Sequence, residues 1–560
     1  MSRKTTVLIL IVSFVLIMLN CGENKMERQF KTFLAKHLLA IQPLQKEMNL
    51  KYWEAAITGK KENYDIYADR EFKLRKIYSD STEFALIKSF RESGDIKNEL
   101  YKRQLDLLYN SYLSNQIEPG LLKKIVQKSS EVENKFSVFR GTVGTATVSD
   151  NEIKSVLKTE TDSKMRRDYW LASKQVGVEI EKDLIELVKL RNQAAVKLGY
   201  DNYYIMSLEL GEQNVEELNN IFDELADLTD EPFAELKNEL DAILADNLGI
   251  GVGGMMPWHY HDPFFQEGPL VYNVDLDKYY EDQNIKELVE NFYSGINLQV
   301  GDILERSDLY EKEGKNPHAF CTDIDREGDI RILCNLKNNE GWTETLLHEL
   351  GHAVYDKYID PDLPFLIREP AHSFTTEAIA MLFGRLSRNA YWLQEMIGLD
   401  DKERDEIAGL VQKSLTMKQL VFARWCQVMF RFEQKLYEDP DQDLNTLWWD
   451  LVEKYQYIKR PINRNAPDWA AKIHFTIAPV YYHNYMLGEL LASQLHSHIV
   501  HEVLGLDNDT GISYINQKKI GSYLKKKVFA VGSKYPWNEM IKNATGEYLT
   551  AKYFVDQFVE

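Results

Sequence analysis

The sequence of 560 residues contains no long run of lysines or arginines, and its net charge is −20. A protein with this charge repels nucleic acid and anionic surfaces, so we expect no nucleic-acid partner. The sequence also contains no low-complexity segment and no short fixed-period repeat. With 44% hydrophobic residues and 31 tyrosines, its composition is that of a folded globular protein.

Long apolar segments are also missing, apart from one near the N-terminus. Basic residues precede an apolar run from Val7 to Leu19, and Asn20 and Cys21 follow it. This order predicts an export signal over residues 1–21, similar to that of a bacterial lipoprotein. We therefore expect lipid attachment at Cys21, although Asn20 stands where a small residue is usual. An uncleaved N-terminal anchor is the alternative, and both place the protein in a bacterial cell envelope, on the periplasmic or the outer side.

Cysteines are rare, and only three follow Cys21. Cys321 and Cys334 flank a segment that predicts two strands joined by a turn at 327–328. If the hairpin is centred on that turn, the two thiols face each other, and a disulfide suits an exported protein. Two buried free thiols are the alternative. Cys426 lies in an apolar helical run and is expected in the core.

Apolar residues recur at three- and four-residue spacing through most of the chain, which predicts helices. The predicted helical segments are Phe30–Leu50, Glu99–Leu113, Leu121–Phe139, Arg167–Leu198, Val215–Leu244, Ile285–Ile296, Thr375–Leu386, Asp401–Tyr437, Leu447–Tyr457 and Tyr481–Val503. Pro232 is expected to restart the fifth of these, with Asp230 as its N-cap.

The glycine-rich stretch 249–257 is the clearest break in the pattern and predicts a flexible connector. The aromatic stretch after it, Trp258–Phe265, is expected to pack in the core rather than to line a cleft. Residues 22–560 are interpreted as one mainly α catalytic domain, with a possible break at the connector.

The most informative segment contains His348-Glu349-Leu-Gly-His352, with no proline inside it. Residues four apart on an α-helix share one face, so both imidazoles can bind one zinc ion, with Glu349 beside its open position. A catalytic zinc needs a third protein ligand. Glu377 follows His352 by 25 residues, after a proline-rich turn, and its apolar neighbours indicate that it faces inward.

Residues 167–550 resemble the angiotensin-converting enzyme family of zinc peptidyl-dipeptidases and, more distantly, the thimet-type oligopeptidases. The segments that carry this resemblance are His318-Ala319, His348–His352, Leu366–Ile379, Lys472–His474, Tyr482–Tyr485 and Gly532–Trp537. The resemblance implies a large two-lobed helical metallopeptidase with a deep central cleft and a small antiparallel β element beside the zinc helix. We expect a monomer that holds one zinc ion and acts on short peptides.

The resemblance also implies a mechanism. The zinc activates a water molecule, and Glu349 takes a proton from it and later passes that proton to the leaving amine. His474 and Tyr485 would donate hydrogen bonds to the oxyanion that develops on the scissile carbonyl.

The resemblance further implies how a peptide binds. His318 and Ala319 would pair with the substrate backbone as a neighbouring strand does. Lys472 and Tyr482 would bind the C-terminal carboxylate, which predicts the release of C-terminal dipeptides. Without the family pattern, an isolated lysine is usually solvated and a tyrosine on this helix usually packs in the core.

Three features depart from the family pattern. Asn484 stands where chloride-dependent members carry an arginine, so chloride activation is not expected. Met381 replaces a carboxylate that helps to orient the zinc ligands, so other partners must orient them and the zinc affinity is expected to differ. The spacing after His474 is one residue longer, which leaves open whether Tyr481 or His483 takes a role assigned to its neighbours.

The sequence therefore predicts an exported zinc peptidase that removes C-terminal dipeptides. An oligopeptidase that cuts internal bonds, with Lys472 unimportant, is the alternative. A catalytically inactive peptide-binding envelope protein is a third hypothesis, and the intact ligand set and Glu349 argue against it.

Overall fold

The structure is a computed structural model that describes residues 24–272, 274–509 and 511–559. The predicted export signal and Cys21 lie outside the described residues, so lipid attachment stays a prediction. Within the described ranges, no helix is both long enough and apolar enough to cross a bilayer.

The N-terminal part is a set of helices with a core of its own. Its helices are α1 (Lys25–Thr58), α2 (Lys61–Tyr78), α3 (Ser81–Ser93), α4 (Glu99–Ser114) and α5 (Pro119–Val138). The core of α1, α3 and α4 includes Phe30, Ile87 and Leu108, and it is joined by Phe365 and Leu366 from a later turn. The N-terminal helices therefore pack against the segment that precedes the third predicted zinc ligand.

The next part begins with a hairpin that the sequence analysis missed. Its elements are β1 (Gly141–Val143), β2 (Ala146–Val148), α6 (Asp150–Thr159), α7 (Ser163–Lys197), α8 (Tyr203–Leu210) and α9 (Val215–Asn247). The turn of the β1–β2 hairpin contains Gly144 with a φ of 60°, a conformation that glycine adopts without strain. β-branched residues on both sides of this glycine were the available signal.

Helix α9 runs through Pro232 without a break, so the predicted restart there is wrong. Asp230 does not cap a helix; its carboxylate accepts hydrogen bonds from Arg424 and from the hydroxyl of Tyr457. Phe233 is fully buried just beyond the proline. Packing of this kind on both sides keeps the helix continuous, although the proline removes one backbone hydrogen bond.

Residues 251–254 of the stretch 249–257 are exposed and contain a short 3-10 turn, Val252–Gly254, whereas Ile250 packs partly against the main core. The main core contains buried residues from both sides of this stretch, such as Leu240 and Trp258, so the stretch connects two parts of one core. The aromatic segment after it packs largely in the core, as predicted, because Tyr260 and Phe265 are buried.

The remaining elements build the candidate site and its surroundings. They are α10 (Asp277–Tyr280), α11 (Ile285–Gly295), α12 (Gly301–Arg306), β3 (Phe320–Asp323), β4 (Ile330–Leu333), α13 (Glu340–Lys357), α14 (Ser373–Gly384), α15 (Ala390–Ile397), α16 (Asp401–Glu438), α17 (Leu444–Gln456), α18 (His474–Ile477), α19 (His483–His498), α20 (Lys518–Leu524), α21 (Trp537–Thr545) and α22 (Lys552–Phe558). The mainly α class is confirmed, whereas the two lobes and the deep cleft stay predictions.

The β3–β4 hairpin stands directly before α13, as predicted, but its register differs from the expected one. Cys321 pairs with Ile332, so Cys334 lies two residues beyond the position opposite Cys321. Both cysteines are free thiols, as is Cys426. The predicted disulfide is therefore not formed in this structure, because the hairpin is centred one residue earlier in the chain than the turn at 327–328 suggested.

Candidate metal centre

Helix α13 carries His348, Glu349 and His352. Its N-cap is Asn339, whose side chain accepts a hydrogen bond of 2.9 Å from the N–H of Trp342 and so satisfies one free donor of the first turn. The apolar face of the helix is buried in the main core. Both histidines are only half-buried, so the helix presents them away from that core.

Helix α14 supplies Glu377. Its N-cap is His372, whose ring nitrogen Nδ1 accepts a hydrogen bond from the N–H of Phe374 at 3.3 Å. The Thr375 hydroxyl donates to the carbonyl of His372 at 2.7 Å, which closes the first turn. Because the chain turns back between α13 and α14, Glu377 faces the two histidines.

The three predicted ligands meet at one point. One donor atom from each of His348, His352 and Glu377 lies within 4.8 Å of the others. The Nε2 atoms of the two histidines are 3.6 and 3.9 Å from the carboxylate oxygens of Glu377. Donor atoms at three corners of a tetrahedral zinc site lie about 3.4 Å apart. The donor set and its spacing therefore fit one zinc ion with a fourth position open.

A glycine makes this convergence possible. A Cβ atom added at Gly351 would lie 2.6 Å from Cα of Ala380 and 2.9 Å from its backbone nitrogen. Backbone atoms cannot retreat as a flexible side chain can, so any larger residue would push α13 and α14 apart. Gly351 thus fixes the close approach of the two helices that carry the ligands.

We therefore expect Gly351→Ala to lower the free energy of unfolding by about 1–3 kcal/mol and to weaken zinc binding, because α14 must move away. Gly341→Ala on the same helix is the matched control. The nearest atom to an added Cβ there is 4.0 Å away, and alanine favours a helix. Thermal unfolding and zinc titration of both variants are the measurements. Equal behaviour of the two variants would contradict the packing argument.

Burial controls the electrostatics of the acidic groups. It raises the pKa of Glu349 to about 8, with a further contribution from the charge of Glu377. Burial also raises the pKa of Glu377 to about 7, followed by the charge of Glu489. A cation held between the ligands would favour the ionised form of both carboxylates. The site is thus arranged to hold a positive charge.

Burial also keeps the two histidines neutral, as metal ligands must be. It lowers the pKa of His352 to about 3, helped by the neighbouring His348. The pKa of His348 is lowered mainly for the same reason. Both rings therefore offer an unprotonated nitrogen at neutral pH.

The structure identifies a partner of His352 that the sequence analysis missed. The Nδ1 atom of His352 lies 2.8 Å from the hydroxyl oxygen of Thr376, the residue directly before Glu377. Met381, where the family pattern has a carboxylate, is half-buried and packs beside Gly488. The threonine hydroxyl was visible in the sequence, but nothing there indicated that it would face the histidine.

The tyrosine-rich segment is divided by the start of α19. His483 is buried, and its Nε2 lies 2.8 Å from the side-chain oxygen of Gln213. Asn484 accepts a hydrogen bond of 2.7 Å from the same glutamine. Burial raises the pKa of both Tyr481 and Tyr485, and both lie close enough to Glu377 for its charge to add to this effect, after that of Tyr481 in the case of Tyr485. His483 thus faces away from the metal ligands, whereas both tyrosines lie near them.

Lys472 and Tyr482 are neighbours, as the resemblance implies. The Nζ atom of Lys472 is 5.3 Å from the ring centre of Tyr482, and both side chains are buried. The Tyr482 hydroxyl accepts a hydrogen bond of 2.8 Å from the indole of Trp425. Lys472 donates to the side-chain oxygen of Gln266, which the sequence analysis did not single out.

The buried ammonium group of Lys472 borders a cavity. Burial lowers its pKa to about 8, although the nearby Asp262 opposes this effect. The cavity has a volume of about 210 Å³, and Gln266, His474 and Phe264 also line it. Because an ammonium group has three N–H donors and one is used by Gln266, donors remain for an anion in this cavity.

His474 lies between this cavity and the tyrosines. Its ring centre is 5.0 Å from that of Tyr482. Burial lowers its pKa to about 4, with the charge of Lys472 as a second cause, so the ring is neutral at pH 7. Its Nδ1 atom is buried and has no hydrogen-bond partner within the part of the chain that the structure describes.

The segment before the hairpin is held in place beside α13. His318 is exposed, and Ala319 is half-buried; both stand immediately before β3. Asn335 donates hydrogen bonds of 3.0 and 3.2 Å to the carbonyls of Asn316 and Pro317. The edge of β3 opposite β4 pairs with no other strand among the described residues.

The chain matches the family model of the M2 peptidases, described as angiotensin-converting enzyme, over residues 24–261 and 270–558. It is similar to an angiotensin-converting enzyme of Theromyzon tessulatum, with 22% identity over 53% of this chain and 50% of that protein. It is also similar to an inactive angiotensin-converting enzyme-related protein of Caenorhabditis elegans, with 21% identity over 59% of this chain and 40% of that protein. A thermostable carboxypeptidase 1 of Pyrococcus furiosus is 31% identical over 42% of this chain and 51% of that protein. The matched parts thus span about half or less of these relatives' lengths.

Proposed function

Because this chain belongs to the angiotensin-converting enzyme family of peptidases, we propose that it is a zinc metallopeptidase that removes dipeptides from the C-terminus of short peptides. The observation that carries the proposal is the convergence of His348, His352 and Glu377, with Glu349 next to the first of them. The intact set argues against the alternative of a protein that only binds peptides.

The proposed mechanism assigns the proton transfers to Glu349. Zinc, when bound, lowers the pKa of a water molecule and polarises the scissile carbonyl. The buried carboxylate of Glu349 takes a proton from the attacking water and then gives it to the leaving amine. Burial raises the pKa of Glu349 and the bound cation would lower it, so the carboxylate would be ionised and able to accept a proton from the attacking water.

His474 and the tyrosines would stabilise the developing oxyanion. Tyr485 and Tyr481 both keep protonated phenols at neutral pH, because burial raises the pKa of each. His474 is neutral and offers one N–H donor. Donors held in a partly buried site stabilise an oxyanion more strongly than water does. We assign this role first to Tyr485 and His474, with Tyr481 as an additional donor.

The proposal that the substrate has a free C-terminus is based on Lys472. Its ammonium group is buried beside a cavity, and a buried cation without a carboxylate contact is costly unless a ligand supplies one. A peptide's terminal carboxylate would be that ligand, with Gln266 and Tyr482 beside it. His318 and Ala319 are proposed to pair with the substrate backbone along the open edge of β3.

Asn484 has a neutral side chain, which accepts a hydrogen bond from Gln213. Because a neutral side chain does not attract an anion as an arginine would, we do not expect chloride to activate this protein. We further propose that the chain is exported and held at the cell envelope through a lipid on Cys21, where short peptides would be its partners.

The products of one labelled peptide test this function. We expect an N-acetylated octapeptide with a free C-terminus to lose two residues and then four, as read by mass spectrometry. The Glu349→Gln variant gives the background. A ladder of single-residue losses would indicate a carboxypeptidase instead, and fragments cut at internal bonds would indicate an oligopeptidase. Either result would reject the release of dipeptides.

A further inference from the structure

We propose that Thr376 is the positioning residue that orients His352 toward the metal. The inference rests on the proposed zinc site and concerns how that site is supported. In this arrangement, two consecutive residues of α14 have different roles: Glu377 is itself a metal ligand, and Thr376 holds the ring of another ligand, His352.

The geometry fixes which nitrogen of His352 faces the metal. Nε2 is the atom that lies 3.9 Å from the carboxylate of Glu377, whereas Nδ1 lies 2.8 Å from the hydroxyl oxygen of Thr376. A metal ligand needs an unprotonated nitrogen, so the proton must be on Nδ1 and is donated to Thr376. The threonine thereby holds both the tautomer and the rotation of the ring.

The packing of the two helices keeps the hydroxyl in place. Because Gly351 allows α13 to approach the backbone of Ala380 on α14, Thr376 can reach across to His352. Threonine is branched at Cβ, and few of its side-chain rotamers are allowed in a helix. The oxygen is thus held by a stiff side chain on a rigid element, as a supporting group requires.

Met381, one turn after Glu377, offers only a thioether, which is a weak hydrogen-bond acceptor. Its sulfur lies 3.3 Å from the point where a Cβ of Gly488 would stand, and that point is also 3.3 Å from Cβ of Glu377. The side chain fills the space beside α19 with apolar atoms and a thioether, which is at most a weak acceptor. The support of His352 therefore comes from the residue before Glu377 rather than from the turn after it.

A hydroxyl partner for His352 differs chemically from a carboxylate partner. A carboxylate partner adds a negative charge behind the ligand, and a hydroxyl does not. The site already contains the carboxylates of Glu349 and Glu377, with Glu489 close enough to influence the latter. A neutral acceptor orients the ring without a further charge, but it increases the basicity of the imidazole less than a carboxylate does.

Zinc affinity is the direct test. Thr376→Val keeps the shape of the side chain and removes the acceptor, so we expect zinc to bind about 10- to 100-fold more weakly, as measured by competition with a chromophoric chelator. Thr376→Ser restores the hydroxyl and should stay within about threefold of the wild type. Met381→Leu is the matched control and should bind zinc as the wild type does. The visible spectrum of the Co²⁺ form should change in Thr376→Val alone.

The inference is overturned if Thr376→Val binds zinc as tightly as the wild type, even when its activity falls. It is also overturned if Thr376→Ser loses as much affinity as Thr376→Val, since packing would then be the cause. Unfolding of the metal-free variants separates a loss of fold from a loss of support. A wild type that binds zinc but cleaves no peptide would reject the proposed function and leave the test of Thr376 intact.

Discussion

Replacing Glu349 with glutamine should reduce peptide hydrolysis by about 10³-fold or more and leave zinc binding unchanged. The amide has nearly the shape of the carboxylate but cannot take a proton from the attacking water. His348, His352 and Glu377 remain in place, so the metal site keeps its three ligands. Initial rates on a short free-acid peptide and the zinc content of the purified variant are the measurements.

The thermal stability of the metal-free Glu349→Gln variant shows whether the substitution disturbs the fold. Burial raises the pKa of Glu349 in the folded protein to about 8, well above its value of 4.5 in an unfolded chain. Its contribution to the stability of the metal-free protein is therefore complete below about pH 4.5 and is lost as the pH rises through about 8. The variant should lack this loss, so without metal it should unfold at a higher temperature than the wild type at pH 8.

An exposed glutamate serves as the control. Glu327 lies in the loop of the β3–β4 hairpin, and Glu327→Gln should keep full activity. If Glu349→Gln retained a tenth or more of the wild-type rate with its zinc in place, another group would have to be the general base.

Replacing Lys472 with methionine should have the second largest effect. We expect kcat/KM for free-acid peptides to fall on the order of 10²-fold, because the terminal carboxylate would be left buried without its partner. Methionine fits among the rings of Phe264, Trp425 and Tyr482 that surround the ammonium group. Loss of a desolvated charge should not weaken the fold.

C-terminally amidated peptides provide the matching change in the substrate. The wild type should cleave an amidated peptide about as poorly as the variant cleaves the free acid, and the variant should no longer distinguish the two. This double comparison isolates the contact between Lys472 and the carboxylate from any general effect of the substitution. Equal cleavage of both peptides by the wild type would reject the carboxylate-binding role.

The proposed contact between Lys472 and the terminal carboxylate also predicts that the preference for free-acid peptides depends on pH. Burial lowers the pKa of Lys472 to about 8, so the side chain is charged below that pH and neutral above it. The value of kcat/KM reports the free enzyme, and the preference for the free acid should therefore fall as the pH rises through about 8. His474 contributes nothing in this range, because burial keeps its pKa near 4. A preference that does not change up to pH 10 would contradict this assignment.

Much of the fold followed from local pattern. Helices α5, α7 and α16 carry apolar residues at helical spacing over several turns, and each begins within a few residues of its predicted start. The failures have local causes as well. The restart at Pro232 was wrong because burial of Phe233 outweighs the hydrogen bond that a proline removes. The β1–β2 hairpin was missed because three-residue strands carry little periodicity.

The register of the β3–β4 hairpin is a second feature that local sequence did not predict correctly. The sequence indicated two strands and a turn, but a shift of the centre by one residue changes which residues face each other across the sheet. Cys321 therefore faces Ile332, and both cysteines remain thiols. Turn residues alone did not contain enough information to choose between neighbouring registers.

The ligand set of the candidate site was determined by the sequence itself. His348 and His352 must share a face on any helix, because that spacing is a property of the backbone. Glu377 was placed by its distance along the chain and by its apolar neighbours. A partner for Lys472 such as Gln266, more than two hundred residues away, has no such local signature.

Only the tertiary structure decided which groups support those ligands. The contact of Thr376 with His352 depends on how closely two helices approach, and Gly351 sets that distance at a single point. His483 and Tyr481 are two residues apart, yet His483 contacts Gln213, whereas Tyr481 lies close enough to Glu377 for its charge to add to burial in raising the pKa of the phenol. Periodicity specifies the face of one helix, whereas the neighbour on that face depends on packing between distant segments, which local sequence does not encode.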